Sequence, residues 1–370
     1  MKKKIIFSLI TILLVVLVTF ILGEGLTRIY AIFRPTPKTL EHTMYCYSPY
    51  LPYVATPYYH NPRKNIIHNS SGFRNSGEFK ITKPMNVYRI VCLGGSTTYS
   101  DYDSATNEQI WTGRLEYYLN KNSRGIKYEV INASAHNYTT LMNFMDYCTR
   151  IADLDVDMII IYEGINELYF NGYDCASFAH YNIFKQVPFD RVNKRIDNYN
   201  HNYIIRNSEL LKRIYKRLFL NRSLNEMATK ESHYNSAKNI ENMRKDSLLS
   251  FTKGLEDFIA ISNFCKIDLI FLSQAYQYEK LKKGFLQKSF NNNLGDYLAF
   301  LAQTRRVSGQ MEKIAKRYNI YYLDMNEILQ QNIEYFYESP IDAVHFSIKG
   351  EDFFGWQVAN FIYKNKILSE

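Results

Sequence analysis

From Val87 onward, short apolar segments alternate with longer amphipathic ones. The apolar segments are YRIVCL (88–93), KYEVINAS (127–134) and VDMIIIYEG (156–164). They lack the strict alternation of a half-exposed strand, which is typical of strands covered on both faces. Two segments with helical spacing, EQIWTGRLEYYLNK from Glu108 and TTLMNFMDYCTRIADL (139–154), separate them. This order predicts an α/β fold with a parallel sheet.

The alternation breaks between residue 168 and about residue 240. This stretch is irregular and rich in Tyr and Phe, and it contains the basic amphipathic segment SELLKRIYKRLFL (208–220). We interpret it as an insertion that caps the strand ends. The predicted elements that follow are a helix near 241–263, strands at 266–274 and 320–324, a helix near 298–318 and a last helix from about Glu351 to Lys364.

The N-terminus carries a long uncharged run, Ile5 to Leu22, directly after Lys2, Lys3 and Lys4. Eighteen helical residues reach about 27 Å, close to the roughly 30 Å hydrocarbon core of a bilayer. The lysines favour the cytoplasmic side, so the remainder of the chain is expected outside the cytoplasm, in the periplasm or at the cell surface. A cleaved signal peptide is the alternative, although its apolar region usually spans only about 7–15 residues.

These patterns divide the chain into three parts. Residues 1–34 are a cytoplasmic stub and a single-pass transmembrane signal-anchor, and residues 35–85 are a Pro- and Tyr-rich linker and lead-in. Residues 86–370 form the folded domain, with the insertion at about 168–240.

Charge and cysteine content exclude several classes of partner. The formal net charge is +9, of which the three initial lysines supply a third, and no basic stripe interleaved with aromatic residues predicts nucleic-acid binding. The five cysteines show no CxxC pair and no histidine at ligand spacing, so no metal site is predicted. Cys92 and Cys265 lie in apolar sequence and are expected to be buried.

Polar residues that could take part in a reaction follow the predicted strands. In open parallel sheets, functional groups collect at these strand ends. Ser96 comes after Gly94 and Gly95, two residues that fit a sharp turn at the end of the first strand. The other positions are Ser134, Asn166, Asp342 and His345.

These residue types suit nucleophilic catalysis. A serine hydroxyl needs a base, which His345 would supply, and Asp342 would fix the imidazole tautomer. Donors for a tetrahedral oxyanion would be the Ser96 N–H, the Ser134 N–H and the Asn166 side-chain amide. Each element alone has a simpler interpretation: a capping serine or a phosphate-binding turn, a satisfied histidine, a turn asparagine.

In combination the segments resemble the SGNH (GDSL-type) hydrolase family, in its membrane-anchored bacterial form. VCLGGSTTYS resembles the nucleophile block, VINASAHNYTT the second block, IIIYEGINEL the third and DAVHFSIKGEDFFGWQVANF the last. The resemblance spans about residues 87 to 365, apart from the insertion. It implies a flavodoxin-like three-layer α/β/α sandwich and serine acyl hydrolysis without a metal or cofactor.

The resemblance makes Ser96 the nucleophile, His345 the base and Asp342 its orienting acid, with oxyanion donors at Ser96, Ser134 and Asn166. Three positions depart from the family pattern. Gly95 replaces the usual aspartate, Ser134 stands where glycine is usual, and Glu167 follows Asn166 where aspartate is common.

The expected function is that of a membrane-anchored serine esterase acting on O-acyl, chiefly O-acetyl, esters of envelope glycan or related molecules. Its partners would be an acylated carbohydrate or lipid-like substrate, and the membrane through the N-terminal helix. Alternatives are a glycan O-acyltransferase with the same triad, a lysophospholipase or thioesterase, and a non-catalytic binding protein on a degenerate hydrolase scaffold.

Overall fold

The computed structural model describes residues 2–36, 43–121, 123, 125–171, 189–220, 248–284 and 294–367. The chain divides into two compact units, one formed by Met1–Cys46 with Val187–His233 and the other by Tyr47–Gln186 with Tyr234–Glu370. The N-terminal helix and much of the insertion therefore belong to one unit, and the sheet belongs to the other.

The regular elements of both units are as follows. The strands are β1 (Tyr45–Cys46), β2 (Val54–Ala55), β3 (His60–Asn61), β4 (Ile66–Ile67), β5 (Val87–Gly94), β6 (Lys127–Asn132), β7 (Met158–Glu163), β8 (Asp268–Ser273) and β9 (Tyr321–Leu323). The helices are α1 (Lys2–Phe33), α2 (Ser96–Tyr99), α3 (Trp111–Lys121), α4 (Thr140–Asp146), α5 (Ile165–Asn171), α6 (Phe189–His201), α7 (Tyr203–Asn207), α8 (Glu209–Tyr215), α9 (Leu249–Cys265), α10 (Tyr278–Gly284), α11 (Leu294–Tyr318), α12 (Met325–Leu329) and α13 (Ile348–Lys364).

The second unit is built on a five-stranded sheet with the spatial order β6-β5-β7-β8-β9, and all of its pairings are parallel. In the first pairings, Val91 lies opposite both Ile131 and Ile159. Numbered along the chain, these five strands have the order 2-1-3-4-5, which is the flavodoxin-like arrangement. The predicted fold class is confirmed.

Both faces of the sheet are covered, which explains why its strands are apolar almost throughout. Successive side chains of a strand point to opposite faces, so β5 sends Ile90 and Cys92 to one layer and Val91 and Leu93 to the other. The first layer is formed by α3 and α13, through Trp111, Leu115, Leu119, Phe354, Val358 and Ile362. The second is formed by α9 and α11, through Phe251, Leu255, Phe258, Val307, Met311 and Ile314.

Several helix boundaries differ from the predicted ones. The helix predicted over 139–154 is α-helical only to Asp146 and continues as a π-helical turn, Tyr147–Ile151, and a 3₁₀ turn, Ala152–Leu154. The helix predicted near 241–263 is observed at Leu249–Cys265, and residues 241–247 lie outside the described part of the chain.

The last helix starts three residues earlier than predicted. Ser347 has an extended backbone, and its hydroxyl accepts the Gly350 N–H at 3.1 Å, so it caps the first turn of α13. The expected burial of Cys265 is wrong: it is the final residue of α9 and is exposed, because the end of this helix, from Asn263 onward, lies at the surface. Cys92, in the middle of β5, is buried as expected.

The first unit contains α1, which is long and apolar enough to span a membrane. The helix continues past Leu22 to Phe33 as an extension that contacts α8. The Glu24 carboxylate accepts hydrogen bonds from the Ser208 hydroxyl at 2.6 Å and from the N–H groups of Glu209 and Leu210 at 3.1 and 3.0 Å. A carboxylate from α1 therefore satisfies the open N–H groups that begin α8.

Three further contacts of the extension strengthen this docking. Arg28 donates to the Asn207 carbonyl at 2.8 Å, and Arg213 donates to the Arg34 carbonyl and lies over the Tyr30 ring. The basic amphipathic segment at 208–220 forms α8 and a π-helical turn, Lys216–Leu220. The remainder of the predicted cap, residues 172–188 and 221–240, lies outside the described residues.

Candidate active site

The polar residues singled out above collect at the carboxyl edge of the sheet, around its topological switch point. Strands β6 and β7 lie on either side of β5, so the connections leaving β5 and β7 diverge to opposite sides. Ser96 directly follows this end of β5, and Asn166 follows β7 after Gly164 and Ile165. The switch point therefore lies between the segments that carry these two residues.

The turn that carries Ser96 requires glycine for space. Gly95 has φ −91° and ψ −151°, an extended conformation open to other residues. A Cβ atom there would lie 2.1 Å from Asn166 Nδ2, however, and one on Gly94 would lie 2.2 Å from Thr98 Oγ1. The glycine in place of the usual aspartate thus makes room for the Asn166 amide.

Three side chains separated by up to 249 positions form one hydrogen-bonded chain. His345 Nε2 lies 2.9 Å from Ser96 Oγ. His345 Nδ1 lies 2.8 and 3.0 Å from the two carboxylate oxygens of Asp342. Because an ionised carboxylate can only accept, Nδ1 carries the proton and Nε2 is left to accept the serine hydroxyl hydrogen.

The surroundings of Asp342 keep its carboxylate ionised for this contact. Burial alone would raise its pKa, but the hydrogen bond and charge of His345 together with the backbone N–H groups of His345 and Val344 outweigh burial and lower the pKa. These N–H groups donate to Asp342 Oδ1 at 3.1 and 3.2 Å. Asp342 therefore stays ionised at neutral pH and holds the imidazole in one tautomer.

The two remaining predicted site residues, Asn166 and Ser134, differ in where their N–H groups already donate hydrogen bonds. Asn166 is 4% exposed, and its Nδ2 donates one hydrogen to the Tyr138 carbonyl at 2.7 Å beside the Gly95 turn. The Ser134 N–H already donates to Asn132 Oδ1 at 3.3 Å, and its hydroxyl donates to the same oxygen. The structure brings Asn166 to the turn formed by Gly95 and Ser96, whereas the Ser134 N–H is engaged within its own loop.

The loop between β6 and α4 has another feature that sequence inspection missed. Asn137 adopts φ +57°, a left-handed conformation that asparagine tolerates better than most residues. It directly precedes Tyr138, whose carbonyl binds Asn166. The signal in the sequence was an asparagine within a loop between a strand and a helix, which by itself predicts only a turn.

Two other residues near the triad carry no signal in the sequence. The ring of Tyr102 is stacked on His345, with centroids 3.5 Å apart and planes at 18°. Arg74, which is 1% exposed, donates to the carbonyls of Tyr99 and Ala105 on either side of the loop that carries Tyr102. These contacts join segments far apart in the chain, so no short pattern in the sequence assigns either residue a role.

Buried carboxyl groups lie beneath the site. Glu167 accepts the Thr140 N–H at 2.5 Å, so this departure from the family pattern helps to begin α4, and burial raises its pKa to about 7. Burial and the charge of Glu167 raise the pKa of Glu163 well above its usual value. Across the described residues, no group of three or more His, Cys, Asp or Glu side chains is arranged to hold a metal ion.

The sheet order and the Ser96–His345–Asp342 constellation define an α/β chain with the SGNH hydrolase fold. No protein-family model and no curated protein sequence matches the chain. Solved structures do match: a lipase/acylhydrolase from Enterococcus faecalis shares 13% identity over 75% of this chain and 96% of its own, with a TM-score of 0.42.

Two further matches have the same character. A structure assigned to the G-D-S-L family of lipolytic proteins, from Desulfitobacterium hafniense, shares 12% identity over 74% of this chain and 98% of its own, with a TM-score of 0.39. An acetylxylan esterase from Geobacillus stearothermophilus shares 13% identity over 74% of this chain and 94% of its own, with a TM-score of 0.41. These similarities concern the fold.

Proposed function

We propose that the chain is a membrane-anchored serine esterase that hydrolyses O-acyl esters through an acyl-enzyme. The observation that carries the proposal is the continuous hydrogen-bonded chain from Ser96 Oγ through His345 to Asp342. A structural serine needs no imidazole at 2.9 Å and no carboxylate behind that imidazole. A nucleophile needs both, because the hydroxyl must lose its proton as it attacks.

In the proposed reaction, Ser96 Oγ attacks the ester carbonyl while His345 Nε2 takes the hydroxyl proton. The carbonyl electron pair moves onto oxygen, and Asp342 stabilises the imidazolium through Nδ1–H. Collapse of the tetrahedral intermediate breaks the bond to the leaving alkoxide, which receives the proton from His345. Water then attacks the acyl-serine with His345 again as base, releasing the carboxylic acid and restoring Ser96.

Stabilisation of the oxyanion is assigned to donors at the crevice. The Ser96 N–H lies on the turn itself, and the Asn166 amide has a second hydrogen besides the one given to Tyr138. For Ser134 to contribute, its N–H would have to leave Asn132, so we assign the third donor to the Asn137 N–H on the same loop. One such donor is worth about 2.7–4 kcal/mol of barrier.

The structure of α1 supports retention of the N-terminal helix as an anchor. A signal peptidase would have to cut near Gly23 to Gly25, where Glu24 caps α8. Cleavage on the C-terminal side of Glu24 would remove this carboxylate from the first unit. An anchor that is part of the folded protein explains why the helix continues for eleven residues beyond Leu22.

The substrate class follows from the anchor. An enzyme held at the outer face of a membrane meets the acylated polymers and lipids of the envelope, so we propose O-acetyl groups of envelope glycan as the substrate. The acceptor of the acyl group is taken to be water. Comparing released acetate with acetylated glycan, in the presence and absence of a glycan acceptor, distinguishes hydrolysis from acyl transfer.

Fluorophosphonate labelling of the full-length protein in detergent tests the mechanism, because only an activated serine reacts at a useful rate. We expect labelling and hydrolysis of a small aryl acetate in the wild type, and loss of both in Ser96→Ala. Ser71→Ala is the matched control, since Ser71 is exposed. Absence of labelling in correctly folded wild type, or labelling that persists in Ser96→Ala, would refute the esterase and favour a non-catalytic protein.

A further inference from the structure

The imidazole of His345 is covered by an aromatic ring. Tyr102 lies parallel to it with a centroid distance of 3.5 Å, and Tyr337 meets Tyr102 at 5.6 Å and 65°. The Tyr337 N–H also donates to the His345 carbonyl at 2.8 Å. One face of the imidazole is thus packed, while its Nε2 edge points to Ser96.

The loop that carries Tyr102 is fixed at several points. Arg74, almost fully buried, binds the carbonyls at both ends of the loop. The Asp101 side chain, 5% exposed, lies between Lys64 Nζ and His136 Nε2, each at 2.8 Å. Burial alone would raise the pKa of Asp101, but the hydrogen bonds and charges of these two partners outweigh burial and lower the pKa. The carboxylate therefore remains charged at neutral pH and keeps its contacts with Lys64 and His136.

A further contact joins this loop to the segment that carries the histidine. Asp103 Oδ2 accepts the Ile348 N–H at 3.0 Å, at the start of α13 and three residues after His345. Tyr102 therefore has a backbone held from both sides, and its ring position relative to His345 is determined by the fold rather than by the stacking alone.

Resting on the proposed function, we propose that Tyr102 is a positioning residue for His345: it fixes the plane of the imidazole and favours the imidazolium that forms when Ser96 loses its proton. A cation over the face of an aromatic ring is attracted by the ring quadrupole. The neutral imidazole gains less from this contact, so the stack favours proton uptake in the catalytic step.

Other charged groups also surround His345. Asp342 contacts Nδ1, Lys280 binds the Tyr337 carbonyl and faces Asp342, and Asp103 binds the N–H of Ile348. Substitution of Tyr102 alters none of these charges. A change in the titration of His345 would therefore report the stacked ring itself.

The test compares Tyr102→Phe with Tyr102→Leu. Both cover the imidazole, but only phenylalanine keeps the aromatic face. A cation–π contact of about 0.5–1 kcal/mol at a partly exposed site corresponds to about 0.4–0.7 pH unit. We expect the pH midpoint of Ser96 fluorophosphonate labelling to fall by this amount in Tyr102→Leu, with a lower plateau rate, and to stay at the wild-type value in Tyr102→Phe.

A second measurement does not depend on activity. Carbon-13 NMR of the histidine ring carbons in the full-length protein, with the His345 resonance assigned by its loss in His345→Gln, gives the same midpoint directly. An unchanged His345 midpoint in Tyr102→Leu would overturn the role of Tyr102, even if wild-type Ser96 is labelled. Conversely, unlabelled wild type with a shifted midpoint in Tyr102→Leu would refute the esterase and leave the stacking inference supported. Tyr102→Met serves as a second aliphatic variant should the leucine variant fail to fold.

Discussion

The close approach of Gly95 to Asn166 gives a sharp test of the oxyanion assignment. A Cβ atom at position 95 would lie 2.1 Å from Asn166 Nδ2, 3.3 Å from Asn166 Cγ and 3.5 Å from the Tyr138 carbonyl oxygen. Ordinary contact begins at 3.4 Å, so in Gly95→Ala the amide nitrogen would have to retreat by 3.4 − 2.1 = 1.3 Å. That movement is enough to break a hydrogen bond to a developing oxyanion.

The expected cost follows from the donor that is displaced. Loss of one oxyanion donor lowers kcat by about 10²–10³-fold, or about 2.7–4 kcal/mol. KM should change little, because the interaction is made mainly in the transition state. Gly95→Ala should also lose about 1–3 kcal/mol of stability through overpacking, so kcat is normalised to the serine that a fluorophosphonate can titrate.

A double-mutant cycle isolates the contact between the two residues. In an Asn166→Ala background the clashing atoms are gone, and the nearest neighbour of the methyl group introduced at position 95 would be the Tyr138 carbonyl oxygen, at an ordinary 3.5 Å. We therefore expect the double variant to match Asn166→Ala in aryl acetate hydrolysis, with strong non-additivity. Gly77→Ala is the control, because a Cβ there meets nothing within 4 Å.

Two results would refute this reasoning. If Gly95→Ala keeps wild-type kcat, the amide either moves without consequence or donates nothing to the transition state. If the double variant loses a further factor of about 10² beyond Asn166→Ala, the size of a whole donor, the glycine is required for something other than space for that amide.

Two further predictions concern other parts of the chain. Burial raises the pKa of Glu351 to about 7 from the usual 4.5, so the folded state holds this proton more tightly than the unfolded state and stability falls as pH rises through this interval. Glu351→Gln keeps an acceptor for the Trp111 N–H and should show a smaller fall in Tm between about pH 5 and pH 8; the same fall as wild type would contradict this. Glu24→Ala removes the carboxylate that caps α8 and should lower stability by about 1 kcal/mol, seen as faster proteolysis within Tyr203–Tyr215. Glu24→Gln should lose less stability. Equal proteolysis of the wild type and both variants would count against the capping role.

The sheet, and the positions of the three residues that we propose as a triad, could be read from the sequence because their signals are local. A strand buried on both faces must be apolar, so β5, β7 and β8 were visible without any partner. Two other signals are also short patterns. Ser96 follows two glycines that form a turn, and Asp342 and His345 are only three residues apart. The parallel topology then brings the carboxyl ends of the strands, and the residues that follow them, to one edge of the sheet.

The rest of the site depends on packing between distant segments, for which short patterns give no signal. The reason for glycine at position 95 is visible only once Asn166 is placed, 71 residues later. The docking of Glu24 on α8 likewise depends on a neighbour that is distant in the chain.

Ser96 and His345 show why a site needs both the right residue types and the contacts between distant segments that position them. Residue type makes a hydroxyl and an imidazole available, yet a reaction needs them held within a few tenths of an ångström. In this chain the hydroxyl is placed by the end of β5, and the imidazole by Asp342, by the stacked ring of Tyr102 and by the Asp103–Ile348 bond. The loop after α2 contacts the segment of His345 directly, so one short stretch of chain positions the Ser96 hydroxyl and the His345 imidazole against each other.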